Sequence, residues 1–237
     1  MKRLRWIFFD LDWTLVDETE AHRARLHATR RQLAQFGRQH TANELLDMCE
    51  RAATEFAPSP FRGMLTRLNL SHDQFATVVD SVRYVKENEV LYPDVQELLA
   101  ILSAQSNLGI ITNQSKGTED RLVDWRIRDY FSLIFASADF GLAKPDPQIF
   151  AAALSQAQCE PEETLIIGDR LDNDIGPAKS QAWNTIRVFQ GFHRFQEPRS
   201  LHEIPDIDIS SIAELSDCLT GMPTGRRHKF TIRDVSQ

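Results

Sequence analysis

The sequence predicts an α/β fold: an open sheet of parallel strands, with one long helical excursion after the first strand. Three observations carry this. Several short apolar runs are continuous rather than alternating, as strands buried on both faces are. Helical patterns lie between those runs, and such alternation implies right-handed crossovers with helices on both sheet faces. From about residue 18 to 88 the strand signal disappears and only helical pattern remains.

Taken in order, residues 4–10 (LRWIFFD) read as a buried strand that ends in Asp10, with Asp12 just beyond. In the helical stretch, Thr41-x-x-Glu44 and Ser71-x-x-Gln74 are capping boxes that start two helices. Phe75, Val78, Val79, Val82 and Val85 form an apolar stripe at helical spacing, and Pro58-Ser59-Pro60 with Gly63 marks a loop. His22 and His27 do not match H-E-x-x-H and are expected to be solvated. Arg23, Arg25, Arg30, Arg31 and Arg38 could draw in an anionic substrate, but a solvated helix face is the expectation. Val95, Leu98, Leu99 and Leu102 give a helix over 94–104 behind Pro93. Strands follow at 108–112, 133–136, 164–169 and 185–189, with a shorter one at 207–209. A helix over 147–157 begins at Asp146-Pro147, an N-cap and first-turn pair. After Cys218, the segment with Arg226-Arg227-His228-Lys229 is either disordered or an edge strand through Phe230 and Ile232.

Bulk properties narrow the function. The 237 residues are 42% hydrophobic and 26% charged, which suits one soluble domain or one domain carrying an insert. A net charge of -7 argues against a general nucleic-acid binder. Cys49, Cys159 and Cys218 form no C-x-x-C pair, so neither a zinc site nor a disulfide framework is expected. The apolar run after the basic N-terminus is too short for a signal peptide, and no run is long enough for a membrane helix. The expectation is a cytoplasmic protein, a monomer or weak homodimer, with neither nucleic-acid nor membrane partner.

In a parallel α/β sheet, ligands gather at the carboxyl ends of the strands. Here those ends carry Asp10 and Asp12, Thr112-Asn113, and Gly168-Asp169 followed by Asp172 and Asp174; Lys144-Pro145 lies between the last two strands of that set. Clustered carboxylates repel unless a cation or proton lies among them, and oxygen-only ligands favour Mg²⁺. A carboxylate beside such a metal can attack phosphorus in line, and a second can serve as acid and then base. Lys144 and the Thr112 hydroxyl suit the equatorial phosphoryl oxygens. On this chemistry Asp10 is the nucleophile and Asp12 the proton shuttle. Asp172, in Asp172-Asn173-Asp174, reads as a structural loop residue.

D-x-D-x-T at the first strand, T-N at the second, K-P before a helix and G-D-x-x-x-x-D at the fourth together resemble the haloacid dehalogenase-like hydrolases. The resemblance covers nearly the whole chain in order. It implies a Rossmann-like parallel sheet core (1–17 and 89–220), an inserted small α-helical cap domain (18–88) and a C-terminal tail (221–237). It further implies Mg²⁺-dependent hydrolysis of a small phosphorylated metabolite through an aspartyl-phosphate. Asp10 becomes nucleophile and metal ligand; Asp12 becomes acid/base and gives its backbone carbonyl to the metal. Thr112, Asn113 and Lys144 become phosphate binders, Asp169 a metal ligand and Asp174 a supporting one. Tyr92-Pro93 looks like the return from cap to core. Dehalogenase relatives lack an acid at the position of Asp12, so its presence favours phosphoryl chemistry.

The sequence departs from the family at Trp13, where Gly or Asn is common, at Arg170, and at Pro177 and Ala182, often Gly. Trp13, Arg170 and Arg62, the last on the expected loop, are candidate specificity residues. A sugar phosphomutase on the same scaffold is the main rival, and a non-catalytic phosphate-metabolite-binding regulator the second. A phosphonate hydrolase needs a cap lysine, and Lys86 ends a predicted helix. No G-x-G-x-x-G, P-loop or G-x-S-x-G is present.

Overall fold

The structure is a computed structural model that describes residues 4–220; the segment proposed as tail or edge strand, with Phe230 and Ile232, lies outside the described residues. The chain begins with β1 (Trp6–Phe9), a two-residue β2 (Val16–Asp17), and helices α1 (Thr19–Gln35), α2 (Ala42–Thr54), α3 (Pro60–Arg67) and α4 (His72–Ser81). It continues through β3 (Val90–Leu91), α5 (Val95–Ser103), β4 (Asn107–Thr112), α6 (Thr118–Asp124), β5 (Phe131–Ala136), α7 (Ser137–Phe140) and α8 (Pro147–Ala157). Next come β6 (Thr164–Gly168), α9 (Gly176–Lys179), β7 (Asn184–Val188), β8 (Ile207–Ile209) and α10 (Leu215–Thr220).

Six strands form one parallel sheet in the order β5-β4-β1-β6-β7-β8. All four residues of β1 are buried, because β1 lies in the sheet interior with side chains covered on both faces. Ile7 and Phe9 pack into a cluster with Leu98, Leu99, Ile110 and Ile167, whereas Trp6 and Phe8 pack with Phe135, Phe150, Ile166 and Trp183. This two-sided burial is what makes the strand read as an unbroken apolar run. The chain order also reverses at β1: β4 and β5 extend to one side, β6 to β8 to the other. The resulting crevice lies at the carboxyl end of β1, where open α/β sheets bind ligands.

The four helices α1–α4 sit between β2 and β3 and enclose a third cluster, including Leu33, Leu45, Met64 and Leu65, that also takes in Trp13 and Phe192. Both predicted capping boxes are formed, at Thr41–Glu44 and Ser71–Gln74. Two expectations in this region are corrected. The expected loop is present at Pro58-Ser59 but stops there: Pro60 occupies the first turn of α3, so Arg62 and Gly63 are helical rather than in a loop. The valine stripe stops early: α4 ends at Ser81, Val82 is extended, and Val85 is 40% exposed. Flanking the 18–88 stretch, β2 and β3 pair as a short antiparallel ribbon for which the sequence raised no expectation. That ribbon joins the two chain crossings between sheet and helices, and Tyr92 N–H donates to Leu15 C=O beside it.

Candidate active site

The first carboxylate is set by the strand itself. Asp10 follows the last residue of β1, and its N–H donates to Ile167 C=O, so it continues the ladder to β6. Thr112, the last residue of the neighbouring β4, donates its hydroxyl to Asp10 Oδ1 at 2.9 Å. Leu11 N–H (2.7 Å) and Lys144 Nζ (3.0 Å) reach the same oxygen, leaving Oδ2 outside that set. Lys144 comes from the segment before α8 and bridges to Asp174 Oδ1 at 2.5 Å. Burial alone would lower the lysine pKa, but Asp10 and Asp174 outweigh it and hold Lys144 above its ordinary value. Asn113 grips the backbone of that lysine twice: its amide donates to Lys144 C=O (2.7 Å) and its carbonyl accepts from Lys144 N–H (2.8 Å). The side chain of Asn113 is thus engaged in placing Lys144.

On the other side of β1, Gly168 ends β6 and Asp169 follows. A Cβ on Gly168 would lie 2.5 Å from the Asp174 carboxylate, so only glycine lets Asp174 close in behind the strand end. Asp174 sits in a π-helical turn, Leu171–Ile175, and accepts from Arg170 N–H at 3.0 Å. Burial raises the Asp174 pKa to about 7, with Lys144 opposing. The Arg170 guanidinium is taken up by Asp172, at 3.1 and 2.7 Å, which leaves its charge balanced beside the cavity. Asp10, Asp169 and Asp174 each offer an oxygen within 4.8 Å of the others, all three being buried. Three hard oxygen donors with neither sulfur nor imidazole among them suit a small divalent cation such as Mg²⁺.

Asp12 lies in the turn after β1, across from Gln114, whose amide donates to Asp12 Oδ1. Burial, then Glu18 and Asp10, push the Asp12 carboxyl well above the usual range. Glu18 and Glu89 extend this acidic wall. Tyr84 O–H donates to Glu18, whose pKa rises to about 8 chiefly through burial, and Arg121 pairs with Glu89 at 2.5 Å. Lys86 ties to Gln114 Oε1 (2.9 Å) and Ser115 Oγ (2.8 Å).

Trp13 stands at φ 56, in the left-handed region where Gly or Asn is easier to accommodate. Its ring stacks on His22 (centroids 5.5 Å) and meets Phe192 edge-on. His22 is therefore not solvated as expected: it is enclosed by this aromatic group, and burial lowers its pKa to about 3. Gly191, at φ 63 and ψ −155, makes room for Trp13, since a Cβ there would lie 2.3 Å from the indole.

These groups line one cavity of about 420 Å³ that includes Asp10, Asp12, Lys144 and Asp169 from the sheet side and His22 and Lys86 from the helical side. Trp13 and Arg170 border it; Arg62, exposed on α3, does not. His193 was not anticipated. It follows β7 in a short helical turn, its Nδ1 lies 2.8 Å from Asp169 Oδ2, and its backbone C=O accepts from the buried Arg187 at 2.8 Å. Its Nε2 is buried with no hydrogen-bond partner among the described residues, and the ring borders the cavity. The signal that could have found it is positional, a histidine just past the carboxyl end of a parallel strand. Gln114 carries the same signal, directly after Thr112-Asn113.

Comparison with known proteins agrees with this geometry. A profile of the family described as haloacid dehalogenase-like hydrolase matches residues 7–188. The chain is 28% identical over 224 residues to a glyceraldehyde 3-phosphate phosphatase of Methanopyrus kandleri, covering 90% of this chain and 96% of that protein. It is 27% identical to the pyrimidine 5'-nucleotidase YjjG of Escherichia coli, over 90% of this chain and 97% of that one. Among solved structures it resembles the HAD-hydrolase YfnB of Bacillus subtilis bound to magnesium, with a TM-score of 0.68 at 26% identity, covering 92% and 99% of the two chains. Strand order, the carboxylates at the reversal point and a match spanning most of the sheet lead to one assignment: this chain belongs to the haloacid dehalogenase-like hydrolases.

Proposed function

We propose that the chain is a phosphatase that hydrolyses a small phosphomonoester through a phosphoryl group carried on Asp10. The observation that carries this reading is the convergence of Thr112 and Lys144 on a single oxygen of Asp10, with Asp169 and Asp174 behind it. The phosphatase and nucleotidase names of the relatives support it.

Asp10 Oδ2 attacks phosphorus, forming a P–O bond to the carboxylate as the ester oxygen leaves. Asp12, whose burial favours its protonated form, gives that oxygen its proton from the carboxyl oxygen that Gln114 does not hold. In the second half-reaction Asp12 takes a proton from the water that cleaves the acyl phosphate, which restores both carboxyls. Lys144 and Thr112, which face Asp10, hold the phosphoryl oxygens as charge develops on them, while Asn113 keeps the lysine backbone in place. Asp10, Asp169 and Asp174, with the Asp12 backbone carbonyl, would hold Mg²⁺. When bound, that cation neutralises the clustered carboxylates and the phosphate charge.

We read α1–α4, residues 18–88, as a cap over a core formed by 1–17 and 89–220, since the cavity takes side chains from both. Among the described residues no helix is long and apolar enough to cross a membrane. Action in the cytoplasm on a phosphorylated metabolite fits that observation and the three free thiols.

The test is phosphate release from a panel of phosphorylated metabolites, with Mg²⁺ or with EDTA, beside Asp10→Asn. Metal-dependent release that the variant abolishes is expected. Full turnover by Asp10→Asn would overturn the assignment of the nucleophile.

A further inference from the structure

The arginines of α1 were expected to form a solvated face. Arg23, Arg30 and Arg31 are exposed, as expected. Arg38 lies beyond the helix and instead ties down the connection between α3 and α4, donating to Leu68 C=O at 2.5 Å and Asn69 C=O at 3.0 Å. Arg25 is different. It is half-buried, and it shares the helix face of Glu18 and His22, at spacings of four and then three residues, so all three border the same cavity as Asp10.

The surroundings of Arg25 are unusual for a cation. Its guanidinium carbon lies 3.5 Å from the centroid of the Phe61 ring, which fixes the plane of the group. Its Nε is buried and has no hydrogen-bond partner among the described residues. Among the described residues it forms no ion pair, although Arg121, Arg170, Arg194 and Arg199 each pair with a carboxylate. The acids on the same wall are engaged elsewhere, Glu18 by Tyr84 and Glu89 by Arg121. A guanidinium drawn out of water without an anion is costly, and its planar donors suit a carboxylate or phosphate. The missing anion is then supplied by what enters the cavity.

We propose that Arg25 anchors a second anionic group on the substrate, so that the site takes a phosphomonoester whose far end carries a carboxylate or a further phosphate. This rests on the phosphatase reading and narrows it to a substrate class. The phosphoryl end lies at Asp10 and Lys144, and the second anion lies under α1 beside Phe61. The neutral His22 and the aromatic rings of Trp13 and Phe192 line the cavity as well.

The test compares kcat/KM for three phosphomonoesters of similar length: 2-phosphoglycolate, 1,3-propanediol bisphosphate and n-propyl phosphate. Wild type, Arg25→Gln, Arg25→Lys and the exposed control Arg31→Gln are assayed, each with a thermal melt. Wild type is expected to favour at least one anionic ester over n-propyl phosphate by about tenfold or more, the scale of one charge-assisted hydrogen bond. Whether the carboxylate or the bisphosphate is favoured identifies the second anion. Arg25→Gln should collapse that ratio, chiefly through KM; Arg25→Lys should restore part of it, and Arg31→Gln should keep it.

Equal kcat/KM for all three esters in wild type would overturn the inference and leave the phosphatase reading intact. So would a ratio that survives in Arg25→Gln. If Arg25→Gln does not fold, the wild-type ratio and Arg25→Lys decide: a lysine variant that keeps a reduced ratio supports the inference, and one whose ratio equals that of wild type overturns the role of the guanidinium. No Mg²⁺-dependent release from any ester, nor from p-nitrophenyl phosphate, would overturn both readings.

Discussion

Lys144 is the counter-ion of the buried carboxylates, and removing its charge should be felt as strongly in stability as in turnover. Lys144→Met keeps most of the aliphatic stem and deletes the ammonium. In the structure Nζ lies 3.0 Å from Asp10 Oδ1 and 2.5 Å from Asp174 Oδ1, and the lysine side chain is 1% exposed. At an effective dielectric constant of ~20, contacts this short amount to about 5 to 7 kcal/mol each. The loss is capped, however, because Asp174 can take up a proton. Its pKa already stands at about 7 through burial, and losing Lys144 raises it further. The net cost should therefore be that of breaking one buried pair, about 3–5 kcal/mol. For a chain of this size each kcal/mol shifts Tm by about 2–4 °C, so Tm in EDTA should fall by about 6–20 °C. Excess Mg²⁺ should raise the variant's Tm by more than it raises that of wild type, because the carboxylate trio then lacks its internal cation. Phosphate release should stay lost in either case. A variant melting within about 2 °C of wild type in EDTA would refute the argument that Lys144 compensates buried charge. An equal Mg²⁺ shift in both proteins would refute the trio as the cation site.

Three further outcomes follow from the same geometry. Gly191→Ala forces a Cβ against the Trp13 ring and places a side chain at φ 63, ψ −155; a stability loss of about 2–4 kcal/mol is expected in chemical denaturation. Adding Trp13→Ala should recover only the steric part, and full recovery would show that the backbone conformation costs nothing. His193→Ala removes the ring that fixes Asp169 Oδ2. It should weaken binding of Mn²⁺, followed by electron paramagnetic resonance as a Mg²⁺ substitute, by about 10- to 100-fold. His193→Asn should restore part of it, and unchanged affinity would remove His193 from the site. In EDTA, Tm should fall as pH rises from about 6.5 to about 8.5, since Glu18 (raised to about 8) and Asp174 (raised to about 7) favour the protonated form in the folded protein. His22, whose folded pKa of about 3 makes protonation of the unfolded chain the favoured event, acts in the opposite sense below about 6.5 and should make the fall shallower there without reversing it, because the two acids outweigh it. A metal-free Tm that rises steadily from acid to alkaline pH would contradict both assignments.

Much of the architecture was legible because it depends on short-range physics. A strand buried on both faces is mostly apolar, so β1, β4 and β6 stood out as near-continuous apolar runs, while β7 was legible despite the buried Arg187 within it. Capping at Thr41 and Ser71 is a four-residue chemical pattern and was found intact. The strand-end acids, the hydroxyl and the lysine could be named from order alone, since strand ends of an open parallel sheet share one edge. Their proximity was an inference from topology, and the bonds to Asp10 Oδ1 give it distances.

What the sequence could not determine depends on contacts between segments far apart in the chain. A two-residue ribbon such as β2–β3 has no periodicity to read. Whether Pro60 ends a helix or begins one depends on the segment it packs against, and here it begins α3. The face of α1 that turns inward is chosen by how the helices sit over the sheet, which is why Arg25 and His22 reach the cavity while Arg23 and Arg31 stay in water. His193 meets Asp169 because β7 lies beside β6, a pairing that no local pattern encodes. The sequence by itself determined the elements and the chemistry at their ends; the tertiary structure decided which neighbours complete that chemistry, because burial and charge compensation are properties of packed segments rather than of any one of them.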